Sequence, residues 1–278
     1  MLSALLLSGC ASSGKRDSGH DSAKAKAPNG APAAPASSGP PPAVKWRGVP
    51  LLSAAPRPPE ADFVRRWKLT LPVNQVGAPS GTAVELPVAA PTAPWLSRAA
   101  DGSLTFWAPV AGARTANSEH ARTELVSTRD FSFGSAVHML SALLSVAQAP
   151  SETNDVCVGQ VHGGGPIRSV AFVMLHWRDG NIVAVVKQAL QGSDSRTVTV
   201  FAGVPLGARF GYTITDQGNG SVAITVTYNG ETRQVTRHAK AVFLGTDERF
   251  QAGDYQQAVT SGSPADGGRV TFYGLTAS

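Results

Sequence analysis

The sequence is poor in several features that define other classes of protein. Only 2 of its 278 residues are cysteines, so we expect no disulfide framework. The apolar run at the N-terminus is too short to span a bilayer. No long helical period occurs, which disfavours a helix bundle. The length suits one large β domain preceded by a tail.

Excess positive charge is also scarce in the C-terminal part of the chain. The formal net charge is +5, but residues 61–278 hold 17 Lys and Arg against 16 Asp and Glu. Nucleic-acid binding therefore has little electrostatic support. Of those 17 cationic residues 14 are arginines, whose planar guanidinium fits carboxylates. This bias favours a partner rich in carboxylates, although high genomic GC content would also produce it.

The chain begins with a short apolar leader. Residues 1–10 read Met-Leu-Ser-Ala-Leu-Leu-Leu-Ser-Gly-Cys, which is similar to a bacterial lipoprotein signal that ends in its lipobox cysteine. We therefore predict lipidation of Cys10 and an exported lipoprotein, at the outer membrane or in the periplasm or extracellular space. No basic residue precedes the run, so the true start codon could lie upstream. The alternative is a chance apolar N-terminus.

The next segment, residues 11–60, has the composition of a linker. It is rich in Ala, Ser, Gly and Pro and holds 10 of the chain's 20 prolines. Such a segment buries too little apolar surface to order itself. We predict a disordered tether with a root-mean-square reach of roughly 40 Å for ~50 residues. Residues 61–278 then form the folded domain.

The domain contains many short β-strand patterns separated by turns. The pairs Asp179-Gly180 and Asn229-Gly230 are typical of hairpin turns. Closely spaced strands with Gly and Asn turns indicate an all-β sandwich or jelly roll. The predicted strands include residues 103–107, 136–146, 156–162, 169–177, 182–188, 196–201, 212–215, 222–228, 232–237 and 269–275.

The predicted strand 156–162 carries the first candidate chemistry. Successive side chains of a strand point to opposite faces, so Gln160 and His162 share one face and Cys157 points to the other. An amide can donate a hydrogen bond to a carboxyl group, and an imidazole beside it can transfer a proton next to that group. The alternative is two polar residues on a solvated face. We expect Cys157 to be a small buried hydrophobe without chemistry.

Two further stretches place polar side chains on strand faces by the same alternation. Arg122 and Glu124 share a face within residues 121–125. Gln251, Tyr255 and Gln257 share a face within residues 249–257. Each stretch is weak evidence alone, and their combination is the stronger signal.

The three stretches, together with residues 67–72, resemble the signature blocks of the alginate lyases of polysaccharide lyase family 7. The family patterns are roughly R-[ST]-E-L-R, Q-[IV]-H and Y-x-K-A-G-x-Y-x-Q, and the blocks stand here in the same order. Two cations of these patterns are missing, because Val126 replaces an arginine and Gln251 replaces a lysine. Arg249 stands in place of the leading tyrosine and could restore one cation.

The resemblance implies a β-jelly roll whose concave sheet forms a substrate groove. It also implies a lyase that cleaves alginate by β-elimination, with no cofactor and no catalytic metal. Arg122 and Gln160 would neutralise the C6 carboxylate, with His162 able to help, and Tyr255 would transfer the proton. His162 would be the second group that guluronate requires. The residues expected to bind substrate are Glu124, Gln251, Gln257, Arg249 and Lys68, and Glu124 is expected chiefly to fix Arg122 by an ion pair.

Several alternatives remain open at this stage. A valine in the middle of the Q-x-H block favours mannuronate, but the two lost cations leave room for another polyuronate such as glucuronan. A lectin-like domain without chemistry is a further reading, and a glycosidase, which needs two carboxyls, ranks last. We expect an acidic polysaccharide as partner, a membrane only through the lipid anchor, and a monomer.

Two aspartates and two histidines are possible metal ligands by residue type. Asp179 and Asp216 lie in Gly-rich turns, but their spacing does not match a calcium loop and turn chemistry explains them. His162 and His176 lack a second set of ligands at metal spacing. We therefore predict no metal site.

Overall fold

The computed structural model describes residues 65–88 and 92–278. The predicted leader at residues 1–10, its lipidation site Cys10 and the tether at residues 11–60 lie outside the described residues. Within residues 65–88 and 92–278, no helix is long and apolar enough to cross a membrane. The elements are β1 (Trp67–Leu71), β2 (Val84–Pro87), β3 (Leu96–Arg98), β4 (Leu104–Pro109), β5 (Arg122–Ser127), β6 (Phe131–Ser132), β7 (Val137–Gln148), β8 (Asp155–Gly163), β9 (Ala171–Arg178), β10 (Asn181–Lys187), β11 (Ser195–Ala202), β12 (Arg209–Gln217), β13 (Ser221–Tyr228), β14 (Glu231–His238), β15 (Asp247–Gln256), β16 (Gly267–Ala277) and two short 3-10 helices at Gly165–Ile167 and Ala241–Phe243.

The strands form two antiparallel sheets. One is nine-stranded, with the order β11-β10-β9-β8-β15-β5-β1-β2 and with β6 paired to β15. The other is seven-stranded, with the order β14-β13-β12-β7-β16-β4-β3. Apolar side chains from both sheets, such as Leu69 and Phe272, belong to one buried core. The all-β sandwich predicted from the turn and strand patterns is therefore confirmed.

Alternation along the strands separates core from surface. In β1, Leu69 and Leu71 belong to the core, and Lys68 between the apolar positions is exposed. Asp179 and Asn229 adopt left-handed backbone conformations with φ of 48° and 49°, as hairpin turns of this kind require. The short strands β2, β3 and β6 were not predicted, since two to four residues give too little alternation to recognise.

Strand β8 contains an irregularity that simple alternation misses. Relative to β9, Cys157 pairs with His176 but Gly159 pairs with Leu175, so Val158 is an extra residue in β8. An extra residue of this kind is a β-bulge, and it changes which side chains share a face.

The bulge moves Cys157 to the outer face. Val158 belongs to the core, and a side chain at Gly159 would meet the Tyr212 hydroxyl of the opposite sheet. Both positions therefore face inward. Cys157 then shares the outer face with Gln160, and the prediction that it points away is wrong for this reason. It remains a fully buried free thiol.

Candidate active site

Three neighbouring strands bring the polar blocks together on the outer face of the nine-stranded sheet. β5 lies next to β15, and β15 lies next to β8. Directly opposed residues on adjacent strands point to the same side. The opposed pairs are Arg122 with Tyr255, Gln251 with Gln160, and Arg249 with His162.

A groove of about 690 Å³ lies over these strands. Its lining includes the predicted residues Lys68, Arg122, His162, Arg249 and Gln251. Val126, which the sequence analysis named as a position without the family's cation, also lines the groove. Sequence reasoning did not find the other lining residues, which come mostly from loops, among them Asn117, Asp130 and Arg168. The groove thus combines four cationic side chains with two acidic ones, Glu85 and Asp130, and it suits an anionic chain.

Arg122 is fixed by two contacts in the floor of the groove. Its Nη1 donates to Oε2 of Glu124 at 3.1 Å, which is the expected ion pair. Its guanidinium carbon lies 3.6 Å from the centroid of the Tyr255 ring. Glu124 is fully buried and is not among the residues that line the groove, so it holds Arg122 from behind. Burial raises the pKa of Glu124, and Arg122 and Gln160 oppose that rise.

Gln160 lies deeper than the sequence suggested. It shares the face of His162 as predicted, but it is fully buried and does not line the groove. Its Nε2 donates to Glu124 at 2.5 Å and to Gln251 at 3.2 Å. Among the described residues its Oε1 has no hydrogen-bond partner. The amide donor is therefore directed at Glu124 and Gln251 in this structure.

His162 lies at the groove surface as a neutral imidazole. Burial, together with the positive charges of Arg122 and Arg249, lowers the pKa of His162 to about 4. Its Nδ1 lies 3.3 Å from the carbonyl oxygen of Gly163, which favours a proton on Nδ1. Nε2 then carries the lone pair, so His162 is suited to accept a proton and not to supply positive charge.

Tyr255 contacts a residue that the sequence did not reveal. Its phenol oxygen lies 3.0 Å from Oγ of Ser118, which belongs to the segment between β4 and β5. The edge of its ring approaches His120, with the ring centroids 6.0 Å apart. Ser118 lies only four residues before Arg122, but no periodicity in a loop could have indicated this contact.

The other residues predicted to bind substrate contact neighbouring side chains or backbone carbonyls. Lys68 forms an exposed ion pair with Glu85 at 3.0 Å, and both line the groove. Arg249 donates from Nε to the carbonyl oxygen of Gly163 at 3.2 Å and lies 3.7 Å from Asp130. The Gln257 side chain bonds to the backbone carbonyls of Tyr255 and Gln256, so it does not touch the phenol.

The candidate metal ligands have other partners. Within residues 65–88 and 92–278 no three His, Cys, Asp or Glu side chains lie close enough to hold a metal ion. His176 is paired with Asp155 at 2.7 Å. Asp216 accepts hydrogen bonds from the backbone of Gly134 and Gly218, as expected of a turn residue.

Comparisons with known proteins agree with this geometry. The family model of alginate lyase matches residues 61–278. The chain is similar to the alginate lyase of Pseudomonas aeruginosa, with 28% identity and a TM-score of 0.68, over 77% of this chain and 98% of that one. It is also similar to A1-II', a member of polysaccharide lyase family 7, with 26% identity and a TM-score of 0.64, over 78% of this chain and 95% of that one.

A variant of the second relative was solved with a bound sugar. It is A1-II' with a histidine replaced by asparagine and a tyrosine by phenylalanine, in complex with the substrate GGMG. Its identity to this chain is 26% and its TM-score 0.65, over 81% of this chain and 97% of that one. A search of curated proteins gave no match. Since the family model spans most of the chain and the sandwich carries the family's blocks on adjacent strands, this polysaccharide lyase belongs to the alginate lyases of polysaccharide lyase family 7.

Proposed function

We propose that the enzyme cleaves alginate by β-elimination at the C4–O glycosidic bond and leaves a 4,5-unsaturated uronate end. The observation that carries the proposal is the contact of Arg122 with Tyr255, at 3.6 Å, under a groove that Arg122 and a neutral His162 both line. Tyr255 itself is not among the residues that line the groove. A base beside a fixed cation is what this elimination requires. Neither water nor a metal ion takes part in the proposed steps.

The first requirement is to neutralise the C6 carboxylate. Loss of the weakly acidic C5 proton leaves carbanion-like charge that must spread into that carboxylate. Arg122 lines the groove and supplies the charge, and a preorganised donor of this kind typically contributes ~3 kcal/mol to lowering the barrier. Gln160 donates to the carboxylate only if its amide turns away from Glu124, and until then it holds Glu124 in place.

The second requirement is a proton path. In mannuronate the C5 proton and the C4 oxygen lie on the same side of the sugar. The Tyr255 phenolate takes the C5 proton, the C–H electron pair forms the C4=C5 bond, and the C4–O bond breaks. The leaving oxygen then takes the proton back from Tyr255. One tyrosine thus serves as base and then as acid.

Guluronate needs a second group, because its C5 proton and C4 oxygen lie on opposite sides. His162 is suited to this role, since its pKa of about 4 leaves Nε2 unprotonated at neutral pH. We expect the enzyme to prefer mannuronate, because the middle position of the Q-x-H block is a valine. Val161 itself lies in the core, so it would act only through the placement of Gln160 and His162.

Another polyuronate, such as glucuronan, is the second candidate substrate, and one observation favours it. The two positions that lack the family's cations, Val126 and Gln251, lie directly opposite each other on β5 and β15. One patch of the groove floor is therefore neutral, with Lys68 beside it on β1. Its substrate would carry differently placed carboxylates at that point.

The test is the absorbance of the unsaturated product, measured on mannuronate blocks, guluronate blocks and glucuronan. The proposal expects product from alginate, with mannuronate blocks cleaved faster. Product from glucuronan alone would establish the second candidate. Binding of alginate without product would identify a carbohydrate-binding domain that kept the fold and lost the chemistry.

We further propose that residues 1–60 attach the enzyme to a membrane. The apolar leader with Cys10 and the Pro-rich composition of residues 11–60 support lipidation and a flexible tether. The lyase domain would then act as a monomer on polysaccharide near the cell surface. Metabolic labelling with a fatty acid, compared between the wild type and Cys10→Ala, tests the anchor.

A further inference from the structure

The hydroxyl of Ser118 lies within hydrogen-bonding distance of the Tyr255 phenol. The two oxygens lie 3.0 Å apart, and either of them can be the donor. Ser118 also makes a tight turn with His120, because its Oγ lies 3.0 Å from the His120 carbonyl oxygen and 3.1 Å from the His120 nitrogen. The serine hydroxyl therefore has three neighbours but only one proton to give.

The number of available protons decides which protonation state of Tyr255 is compatible with each arrangement of the hydrogen bonds around Ser118. The His120 N–H is a donor, so Ser118 Oγ accepts from it in every case. If Ser118 gives its proton to the His120 carbonyl, its oxygen must accept from the phenol, and Tyr255 is then neutral. If Tyr255 has lost its proton, the phenolate can only accept, and Ser118 must donate to it.

The change between these arrangements requires little motion. A hydroxyl hydrogen turns about the Cβ–Oγ bond while the heavy atoms stay in place. The carbonyl of His120, a half-buried residue, gives up one hydrogen bond. In return the serine makes a hydrogen bond to a charged oxygen, which is about twice as strong as a neutral one.

We propose that Ser118 is a positioning residue whose hydroxyl accepts from neutral Tyr255 and donates to its phenolate, so that it stabilises the base without moving it. The inference rests on the proposed role of Tyr255 as the proton carrier. It adds a residue from the loop before β5 to the catalytic arrangement. Ser118 touches Tyr255 and is not required to touch the sugar.

Other ionisable groups also face the phenol and must be kept constant in a test. They are Arg122 from β5, His120 from the loop and Cys157 from β8, with Glu124 behind Arg122. Burial raises the pKa of Cys157 well above its usual range, so this thiol is neutral near the phenol. Substitution at Ser118 keeps all four side chains, and Ser118→Thr supplies again the hydroxyl that contacts the His120 backbone.

The experiment compares Ser118→Ala with Ser118→Thr, which restores a hydroxyl, and with Glu119→Ala as a matched control in the same exposed loop. Circular dichroism verifies folding. On mannuronate blocks, where Tyr255 is the base, we expect Ser118→Ala to lower kcat about tenfold with little change in KM, and to move the low-pH limb of kcat/KM upward by about one pH unit. Ser118→Thr should recover both values.

A second measurement separates stabilisation of the base from a merely structural role. Phenolate absorbance is titrated in each chain with and without Tyr255→Phe, and the difference reports Tyr255 alone. Ser118→Ala should move that titration to higher pH. An unmoved titration, or wild-type kinetics in Ser118→Ala, would overturn the inference. Should Tyr255→Phe itself stay active, the proposed role of Tyr255 as the proton carrier fails instead, whatever the titration of the Ser118 variants.

Discussion

The guanidinium of Arg122 lies over the ring of Tyr255, with its carbon 3.6 Å from the ring centroid. The same guanidinium is held by the fully buried Glu124, which also accepts a hydrogen bond from Gln160. A cation in this place attracts the negative charge that a tyrosine base must carry. The contact therefore joins the carboxylate-binding part of the site to its proton-transfer part.

Arg122 should be needed for both stability and turnover. Arg122→Ala leaves Glu124 as an unpaired buried carboxylate, so we expect the free energy of unfolding to fall by about 3 kcal/mol. Turnover should also be lost, because the substrate carboxylate has no cation. Denaturant unfolding and product absorbance give the two values.

The double variant Arg122→Ala/Glu124→Gln separates these effects. Removing the charge of Glu124 should restore most of the stability, since nothing charged is left buried without a partner. Turnover should stay low. Recovery of near-wild-type turnover in the double variant would remove Arg122 from the mechanism.

His162 should matter more for guluronate than for mannuronate. We expect His162→Ala to slow the cleavage of guluronate blocks more strongly, since only that sugar needs a second group. Because the pKa of His162 is lowered to about 4, guluronate cleavage by the wild type should persist on acidification and fall only as the pH approaches that value. Equal losses of rate on both block types would contradict this role.

The side chains that lie on the outer face of the groove strands could be predicted only where the strands are regular. Arg122 and Glu124 lie on β5 without irregularity, so alternation placed both on the outer face. In β8 the same rule failed at Cys157, because the bulge at Val158 adds a residue that no local pattern announces. The fold class was robust, since it rests on many turns and strands together.

The degree of burial of a side chain and the contacts made by loops could not be predicted from the sequence. Gln160 was placed on the correct face, but its full burial depends on neighbours from β5 and β15. Ser118 was missed because its contact with Tyr255 joins positions 137 residues apart through an irregular loop. Side-chain alternation gives direction along one strand and says nothing of what covers it.

Glu248 should make stability depend on pH. Burial raises the pKa of Glu248 to about 8, so its protonated form stabilises the fold fully below the ordinary pKa of 4.5, and that contribution is lost as the pH rises toward 8. Glu248→Gln keeps a neutral side chain at every pH. Its free energy of unfolding should exceed that of the wild type by more than about 1 kcal/mol at about pH 9 and match it at about pH 4.

The neighbouring exposed acid serves as the control for that comparison. Asp247→Asn removes a similar charge one residue away, at a position in contact with solvent. It should change the pH dependence of unfolding far less than Glu248→Gln does, because the charge of Asp247 is the smallest of the causes that act on the pKa of Glu248. An equal gain at alkaline pH from both variants would mean that general charge, and not the burial of Glu248, is responsible.

The lyase domain should fold and act without the preceding segments. A chain that begins near Pro59 lacks the predicted leader and tether but keeps all residues matched by the family model. We expect it to show the specific activity and the unfolding temperature of the full chain on soluble alginate. Loss of folding on this truncation would show that residues 1–58 are part of the structure.

The central claim is that Tyr255 carries the proton in every cleavage this enzyme performs. Tyr255→Phe keeps the ring under Arg122 and deletes only the phenol oxygen, so the fold should survive. The decisive measurement is the rate of unsaturated product formation by Tyr255→Phe on mannuronate blocks. We expect a fall on the order of 10²–10⁴, the range typical of positioned proton transfer. A rate close to that of the wild type would contradict the single-tyrosine mechanism and make His162 the first candidate for the base.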